Sequence, residues 1–185
     1  MLRALALAVL AASGAAAETP LPFDLGGAYA LTNQFGETRT QADPQGHAQL
    51  LFFGYANCLN ICSAALPLMA EVVDMLAEEG IAVTPVMITV APEQDRIETM
   101  GAPLAEIHRD FIGLTGDQRA LQIAYDAFAI AVEPLFEDPE YGWIYSHGSF
   151  VHLLDGEGEM LTLLPPVLDA DRTADIVRGY LAPRG

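Results

Sequence analysis

Short apolar runs along the chain are separated by stretches with a helical spacing of apolar positions, which predicts strands alternating with helices. Ala48 to Tyr55 and Ile81 to Val90 have the length and the aromatic and β-branched content of buried strands. The stretch between them is rich in alanine and leucine, carries acidic residues on one side and stops at Gly80, as an amphipathic helix does. Ser63 is its predicted N-cap, and Pro67 fits within its first turn. These elements predict a β-α-β unit.

Shorter patterns extend this unit toward the N-terminus and into the middle of the chain. Leu25 to Leu31 and Gly36 to Thr40 predict an N-terminal hairpin. Arg96 to His108 predicts two helical pieces, because a glycine and a proline interrupt it. Phe111 to Leu114 predicts a third strand, and Asp117 to Phe128 predicts a helix with an aspartate at its cap.

The last third of the chain predicts a loop, a hairpin and a final helix. Glu133 to Gly142 holds two prolines and four acids and is predicted to be an exposed loop. Phe150 to Leu154 and Glu159 to Leu163 are strands joined by a glycine-containing turn, and Asp171 to Leu181 is a helix. The whole order predicts an α/β, thioredoxin-like fold: a central mixed sheet flanked by helices, with an N-terminal hairpin and a closing hairpin plus helix.

The first 17 residues have the pattern of a secretory signal. Arg3 is followed by an apolar core from Ala4 to Ala12 and by three alanines that end at Ala17. This core is shorter than the roughly 20 residues of a membrane span. We therefore expect a signal peptide over residues 1–17, one thioredoxin-like domain over residues 18–185, and an exported, periplasmic protein. The alternative is an uncleaved segment that acts as a weak membrane anchor.

The chain is strongly acidic, with a formal net charge of −17, and loss of Arg3 with the signal would make it −18. This charge argues against nucleic acid and anionic membrane surfaces as partners. The acids of Glu133 to Glu140 form either a docking surface for a partner or a solvated loop. The sequence has no Gly-x-Ser-x-Gly, phosphate-loop or His-Glu-x-x-His motif, so nothing supports a hydrolase or a nucleotide enzyme.

Cys58 and Cys62 are the only cysteines, and they come between the predicted central strand and its helix. On a helical turn the i, i+4 spacing puts both on one face, with Cα atoms about 6 Å apart. A disulfide can bridge that distance, and two thiolates can hold a soft ion such as Cu(I). Without metal, we expect the pair to oxidise to an intramolecular disulfide. The alternatives are a purely structural disulfide or two buried thiols.

His147 is the most promising of the four histidines. Serine and glycine flank it, so its ring is predicted to be accessible, and a thioredoxin-like fold would bring its loop to the cysteines. Two sulfurs and one imidazole suit copper, because thiolates favour Cu(I) and the nitrogen makes Cu(II) tolerable. Zinc with a water in its fourth position would also fit.

The other three histidines lack a metal-binding context. His152 lies inside a strand and is predicted to pack there. His47 follows a loop with proline and glycine, and His108 ends a helix, where a cation suits the dipole. The six methionines form no Met-x-x-Met cluster and are predicted core residues.

Most of the chain resembles the SCO/SenC family, thioredoxin-like copper-binding proteins linked to cytochrome oxidase assembly. The most specific piece is Phe52 to Tyr55 leading to Cys58 and Cys62. The resemblance implies that both cysteines and His147 are copper ligands. The resemblance also rests on four other segments: Gly26 to Leu31 with Gly36, Val90 to Asp95, Leu114 to Gly116, and Leu153 to Asp155 after the histidine.

The chain departs from the family pattern at four positions around these ligands. Leu59 and Ser63 stand where the family has a proline after each cysteine. Ala91 and Ser146 stand where it has aspartates, the second directly before His147. Loss of that carboxylate would remove a partner for the ligand histidine and weaken copper binding.

The leading prediction is a copper carrier that serves the copper-site subunit of a respiratory oxidase, or another copper or thiol protein. Reduced thiols bind the metal and an oxidised pair does not, so redox state would control loading. The alternative is a thiol-disulfide oxidoreductase in which Cys58 attacks and Cys62 resolves the mixed disulfide. A third possibility is a redox- or copper-sensing interaction module without turnover.

Overall fold

The computed structural model describes residues 24–56 and 62–182, with the backbone only for Cys62 and Ser63. The predicted signal segment, Cys58 and Leu59 lie outside the described residues. The described strands are β1 (Ala30–Asn33), β2 (Thr38–Thr40), β3 (Ala48–Gly54), β4 (Val83–Thr89), β5 (Ile112–Thr115), β6 (Glu133–Asp138), β7 (Gly142–Ser146), β8 (Val151–Leu154) and β9 (Met160–Leu164). The described helices are α1 (Cys62–Glu78), α2 (Gly101–Ile107), α3 (Gln118–Ala127) and α4 (Ala170–Leu181).

Strand β3 lies inside a seven-stranded mixed sheet with the order β2-β1-β5-β4-β3-β8-β9. It runs parallel to β4, which is parallel to β5, and antiparallel to β8. All seven residues of β3 are buried, as expected for a continuous apolar run with both faces covered. Helix α1 connects β3 to β4, which confirms the predicted β-α-β unit.

Both hairpins of the sheet and the helices around them follow the predicted order, with differences at their ends. Strand β1 starts at Ala30, later than predicted. Of the stretch predicted as two helical pieces, only α2 is helical, and turns precede it. Helix α1 already includes Ser63, which is therefore not the N-cap, and Pro67 lies one turn farther in. Asp117 caps α3 as predicted by accepting a hydrogen bond from the backbone N–H of Ala120.

The prediction of a loop from Glu133 to Gly142 is wrong, because β6 and β7 pair there as a two-stranded antiparallel hairpin. Asp138 makes the turn: its Oδ1 accepts from the backbone N–H groups of Glu140 and Tyr141, at 2.8 and 3.0 Å. Gly142 continues it with a φ of +73°, which glycine adopts without strain. The two prolines are tolerated because one lies in the turn and the other at an irregular pairing beside a bulge. The exposure of β6 agrees with the prediction.

No helix in the described part of the chain has both the length and the apolar character needed to cross a membrane.

Candidate metal site

The candidate site is at the carboxyl end of β3. The strand ends at Gly54, Tyr55 and Ala56 continue the chain, and α1 begins at Cys62. Cys62 is thus the first residue of the helix that follows the central strand. We call residues 57–62, which contain both cysteines, the cysteine segment.

His147 follows the last residue of β7 and lies against this end of β3. Its ring meets Phe52 and Tyr55 edge-on, with centroid distances of 5.8 and 6.1 Å. Its Nδ1 is 2.9 Å from the carbonyl oxygen of Gly148. A carbonyl can only accept, so Nδ1 carries the proton and the lone pair of the neutral ring is on Nε2. Because Tyr55 precedes Cys58 by three positions, the imidazole lies beside the entry to the cysteine segment.

His152 packs inside the sheet, as the sequence predicted. It is 3% exposed, and its ring lies 5.6 Å from that of Phe53 and 5.3 Å from that of Phe128. Its Nδ1 faces the carbonyl oxygen of Leu51 at 3.4 Å. Burial lowers the pKa of His152 to about 4, although the contact with Leu51 acts in the opposite direction. This ring is therefore neutral at neutral pH.

The remaining histidines lie elsewhere. His47 directly precedes β3 at its opposite end, where its backbone N–H donates to Asp43. His108 ends α2 and its Nε2 contacts Asp74 of α1 at 3.1 Å.

The loop after β4 contacts two parts of the site: the chain that leads to the cysteine segment, and strand β7, which leads to His147. In the sequence this loop was noted only for its family likeness. We call Val90–Asp95, which follows β4, the 90–95 loop. Buried Asp95 accepts from the backbone N–H of Ala56, with its two oxygens at 3.1 and 3.3 Å. Gln94 donates through Nε2 to the carbonyl oxygen of Trp143 at 2.9 Å.

Glu93 in the same loop accepts a hydrogen bond from the hydroxyl of Tyr145, at 2.8 Å. Burial, with this bond and the charge of Glu93, raises the pKa of Tyr145 to about 12. Tyr145 also packs edge-on against Tyr55, with ring centroids 6.4 Å apart. The phenol is therefore a neutral donor that ties β7 to the 90–95 loop.

The side chains that the structure describes contain no cluster of three or more histidine, cysteine or carboxylate groups able to hold a metal. The thiols of Cys58 and Cys62 are not among them, so this finding concerns the other residues. Of the four positions that depart from the family pattern, Ala91 is completely buried and Ser146 is exposed at the end of β7. Of the three predicted ligand side chains, the structure describes that of His147 alone.

Comparison with known proteins identifies the family. The SCO1/SenC family model matches residues 17–182. The chain belongs to the SCO1/SenC family. An SCO2-like protein of Rickettsia felis is 33% identical over 140 residues, which cover 74% of this chain and 67% of that protein. The human mitochondrial SCO2 homolog is 30% identical over 158 residues, covering 84% of this chain and 59% of its own length.

Solved structures of SCO1/SenC proteins share the fold. Yeast Sco1 with copper bound has a TM-score of 0.78 and 24% identity, covering 88% of this chain and 91% of that one. Arabidopsis thaliana ScoI with copper bound has a TM-score of 0.77 and 24% identity, covering 84% and 97%. The family model confirms the predicted family, and these structural similarities together with the sheet order confirm the thioredoxin-like fold.

Proposed function

We propose that this SCO1/SenC protein holds copper through Cys58, Cys62 and His147 and delivers it to the copper site of a cytochrome c oxidase. The observation that carries the proposal is the position of His147. Its ring lies against Tyr55, at the entry to the cysteine segment, and its hydrogen bond to Gly148 leaves the lone pair on Nε2. Similar proteins support the metal and the pathway: yeast Sco1 has a copper-bound structure, and BsSco is described as a member of a family of cytochrome c oxidase assembly proteins.

The donor set fits copper as a cargo. Two thiolates are sufficient for Cu(I), and the imidazole adds the nitrogen donor that Cu(II) requires. A partner can remove the metal by replacing these three ligands one at a time. Oxidation of Cys58 and Cys62 to a disulfide would remove both thiolates, so loading would require the reduced pair.

We also propose that the protein is exported, with residues 1–17 as its signal peptide. The pattern of Arg3, an apolar core and three alanines supports this. The family match begins at residue 17, where the predicted signal ends. A related SCO1/SenC protein of Bacillus anthracis is described as a lipoprotein. The periplasm is the compartment that we propose.

The second candidate function is thiol-disulfide exchange with partner cysteines. Cys62 is the first residue of α1, and the positive end of a helix dipole favours a thiolate there. In this reaction the Cys58 thiolate attacks a partner disulfide, one partner sulfur leaves as a thiolate, and Cys62 then displaces the second partner sulfur. The products are the reduced partner and a Cys58–Cys62 disulfide. BsSco, a relative, is described as containing a disulfide switch.

Copper titration of the reduced, metal-free protein tests the first candidate. We expect the unaltered protein to bind one copper per chain. Cys58→Ser and Cys62→Ser should lose the binding of both Cu(I) and Cu(II), whereas His147→Ala should lose only the sulfur-to-Cu(II) absorption. His152→Ala is the control and should match the unaltered protein. Loss of the absorption in His152→Ala with His147→Ala unaffected would refute the ligand assignment. Turnover in an insulin reduction assay without copper binding would favour the second candidate.

A further inference from the structure

We propose that Asp95 is a positioning residue for the cysteine segment, and that its neighbour Gln94 positions the histidine side of the same site. The 90–95 loop would thus fix the position of the two cysteines relative to His147. This inference rests on the proposed function for its copper readout. Its redox readout does not depend on copper.

The contact with the cysteine side is a part-buried hydrogen bond from a backbone N–H to a buried carboxyl group. Asp95 is 1% exposed, and its carboxylate accepts from the backbone N–H of Ala56. Strand β3 has already ended at Gly54, so this N–H is beyond the ladder and needs another acceptor. A buried carboxylate is costly unless donors surround it, and bonds to an ionised acceptor are the stronger ones. Ala56 lies two positions before Cys58, so the bond fixes the chain where it enters the cysteine segment.

The carboxylate is itself held in place by the end of β4. The hydroxyl of Thr89 donates to Asp95 at 2.8 Å and accepts from the backbone N–H of Ala91 at 3.0 Å. The hydroxyl of Tyr125 in α3 donates to the carbonyl oxygen of Thr89 at 2.7 Å. The backbone N–H of Val90 donates to the carbonyl oxygen of Gly54 at 2.8 Å. Asp95 thus links the backbone of Ala56 to the end of β4, which α3 and β3 hold in place.

The contact with the histidine side comes from the preceding residue of the same loop. Gln94 donates to the carbonyl oxygen of Trp143, four positions before His147. Unlike the Asp95 bond, this one is exposed and reaches only β7. The two contacts can therefore be removed separately, and each should change a different property of the site.

Asp43 provides a matched control at the opposite end of the same strands. It is 6% exposed and accepts from the backbone N–H groups of Gln45 and His47, at 2.8 and 3.2 Å. It also accepts from the hydroxyl of Thr84 in β4 at 2.8 Å, as Asp95 does from Thr89 in the same strand. Asp43→Asn removes a buried carboxylate, which also pairs with Arg39 at 3.4 Å, from a loop that does not lead to the cysteines.

The experiment compares Asp95→Asn, Gln94→Ala and Asp43→Asn. The readouts are the thiol-disulfide equilibrium of the cysteine pair with glutathione and the affinities for Cu(I) and Cu(II). Far-UV circular dichroism and urea unfolding show that each variant is folded. Two thiols that are held together close a disulfide and bind a metal more readily than two that are not.

We expect Asp95→Asn to shift the glutathione equilibrium toward the dithiol by about tenfold and to weaken both copper affinities by about tenfold. Gln94→Ala should weaken Cu(II) alone, because Cu(I) and the disulfide need only the thiols. Asp43→Asn should lower the stability but leave all three readouts unchanged. If Asp95→Asn does not fold, Thr89→Val, which removes one donor to the carboxylate, should give a smaller shift in the same direction.

Three outcomes would overturn the inference: a folded Asp95→Asn variant with an unchanged glutathione equilibrium, an equal shift in Asp43→Asn, or no shift in Thr89→Val where it must replace Asp95→Asn. A protein that binds no copper but shows the Asp95 shift would refute the proposed function and leave the positioning of the cysteine segment intact.

Discussion

His147 and His152 are five positions apart and have the same side chain, yet the fold uses them in opposite ways. Both rings donate through Nδ1 to a backbone carbonyl, and both pack against a phenylalanine of β3. Phe52 and Phe53 are consecutive, so their side chains point to opposite faces of the strand. The two histidines therefore lie on different sides of β3.

The comparison shows that position relative to the end of a strand, more than residue type, decides how each histidine is packed. His152 is paired with Leu51 in the ladder and surrounded by aromatic rings, so the sheet fixes its direction. His147 lies past the end of β7, half-buried, where the backbone is no longer held by a ladder on its C-terminal side. The buried imidazole of His152 takes the place of an apolar packing residue, whereas the half-buried imidazole of His147 packs against Phe52 and Tyr55 at the end of β3.

The largest expected effect is a loss of stability in acid that is caused by the buried His152. His152 has a pKa of about 4 in the fold against 6.5 in the unfolded chain. Above pH 6.5 it is neutral in both states and its contribution is fully present. As the pH falls from 6.5 toward 4, the unfolded chain takes up a proton that the folded protein does not. The free energy of unfolding should therefore fall by about 3 kcal/mol over this range from this group alone.

Urea unfolding at a series of pH values, compared between the unaltered protein and His152→Phe, measures this effect. Other acidic groups titrate in both proteins and cancel in the difference. The variant should lose about 3 kcal/mol less than the unaltered protein between pH 7 and pH 4. Parallel curves for the two proteins would mean that His152 is not buried in its neutral form.

Truncation at neutral pH should separate the two histidines by a smaller amount. His152→Ala leaves a cavity between Phe53 and Phe128 and should lower the free energy of unfolding by about 2 kcal/mol. His147→Ala removes a half-buried ring at the end of a hairpin and should cost about 0.5 kcal/mol. Denaturant unfolding of the two metal-free variants measures both, and equal losses would contradict the contrast.

The sequence predicted those parts of the fold that local patterns determine. The apolar runs of β3 and β4 and the helix between them identified the β-α-β unit, and period-two alternation placed His152 in a strand. The β6–β7 hairpin was missed because its two prolines and four acids outweighed the signal in its aromatic residues. Apolar and aromatic residues on both sides of the Asp-Pro-Glu-Tyr-Gly turn would have indicated strands.

The candidate site was predictable only where its residues carry their own chemistry. The cysteine pair and His147 could be selected by residue type and neighbours. Asp95 could not, because its role depends on a contact with Ala56, 39 positions away, and on the neighbouring Thr89. The links from Gln94 and Glu93 to β7 span 49 and 52 positions. Such contacts exist only once the strands are assembled.

The smallest effect concerns Ser146, which stands where the family has an aspartate directly before the histidine. A carboxylate beside a metal-binding histidine raises its basicity, and such partners change metal affinity by about tenfold or more. Here Ser146 is the cross-strand partner of Glu133, and like charges directly opposite destabilise a strand pair. We therefore expect Ser146→Asp alone to raise the Cu(II) affinity by less than about tenfold, and Ser146→Asp with Glu133→Gln to raise it further.

Competition with a chromophoric Cu(II) chelator measures both affinities. Ser149→Asp, which adds the same charge on the other side of His147, is the control. An unchanged affinity in both backgrounds would mean that the missing carboxylate does not limit copper binding, and an equal gain in Ser149→Asp would mean that only the added charge matters.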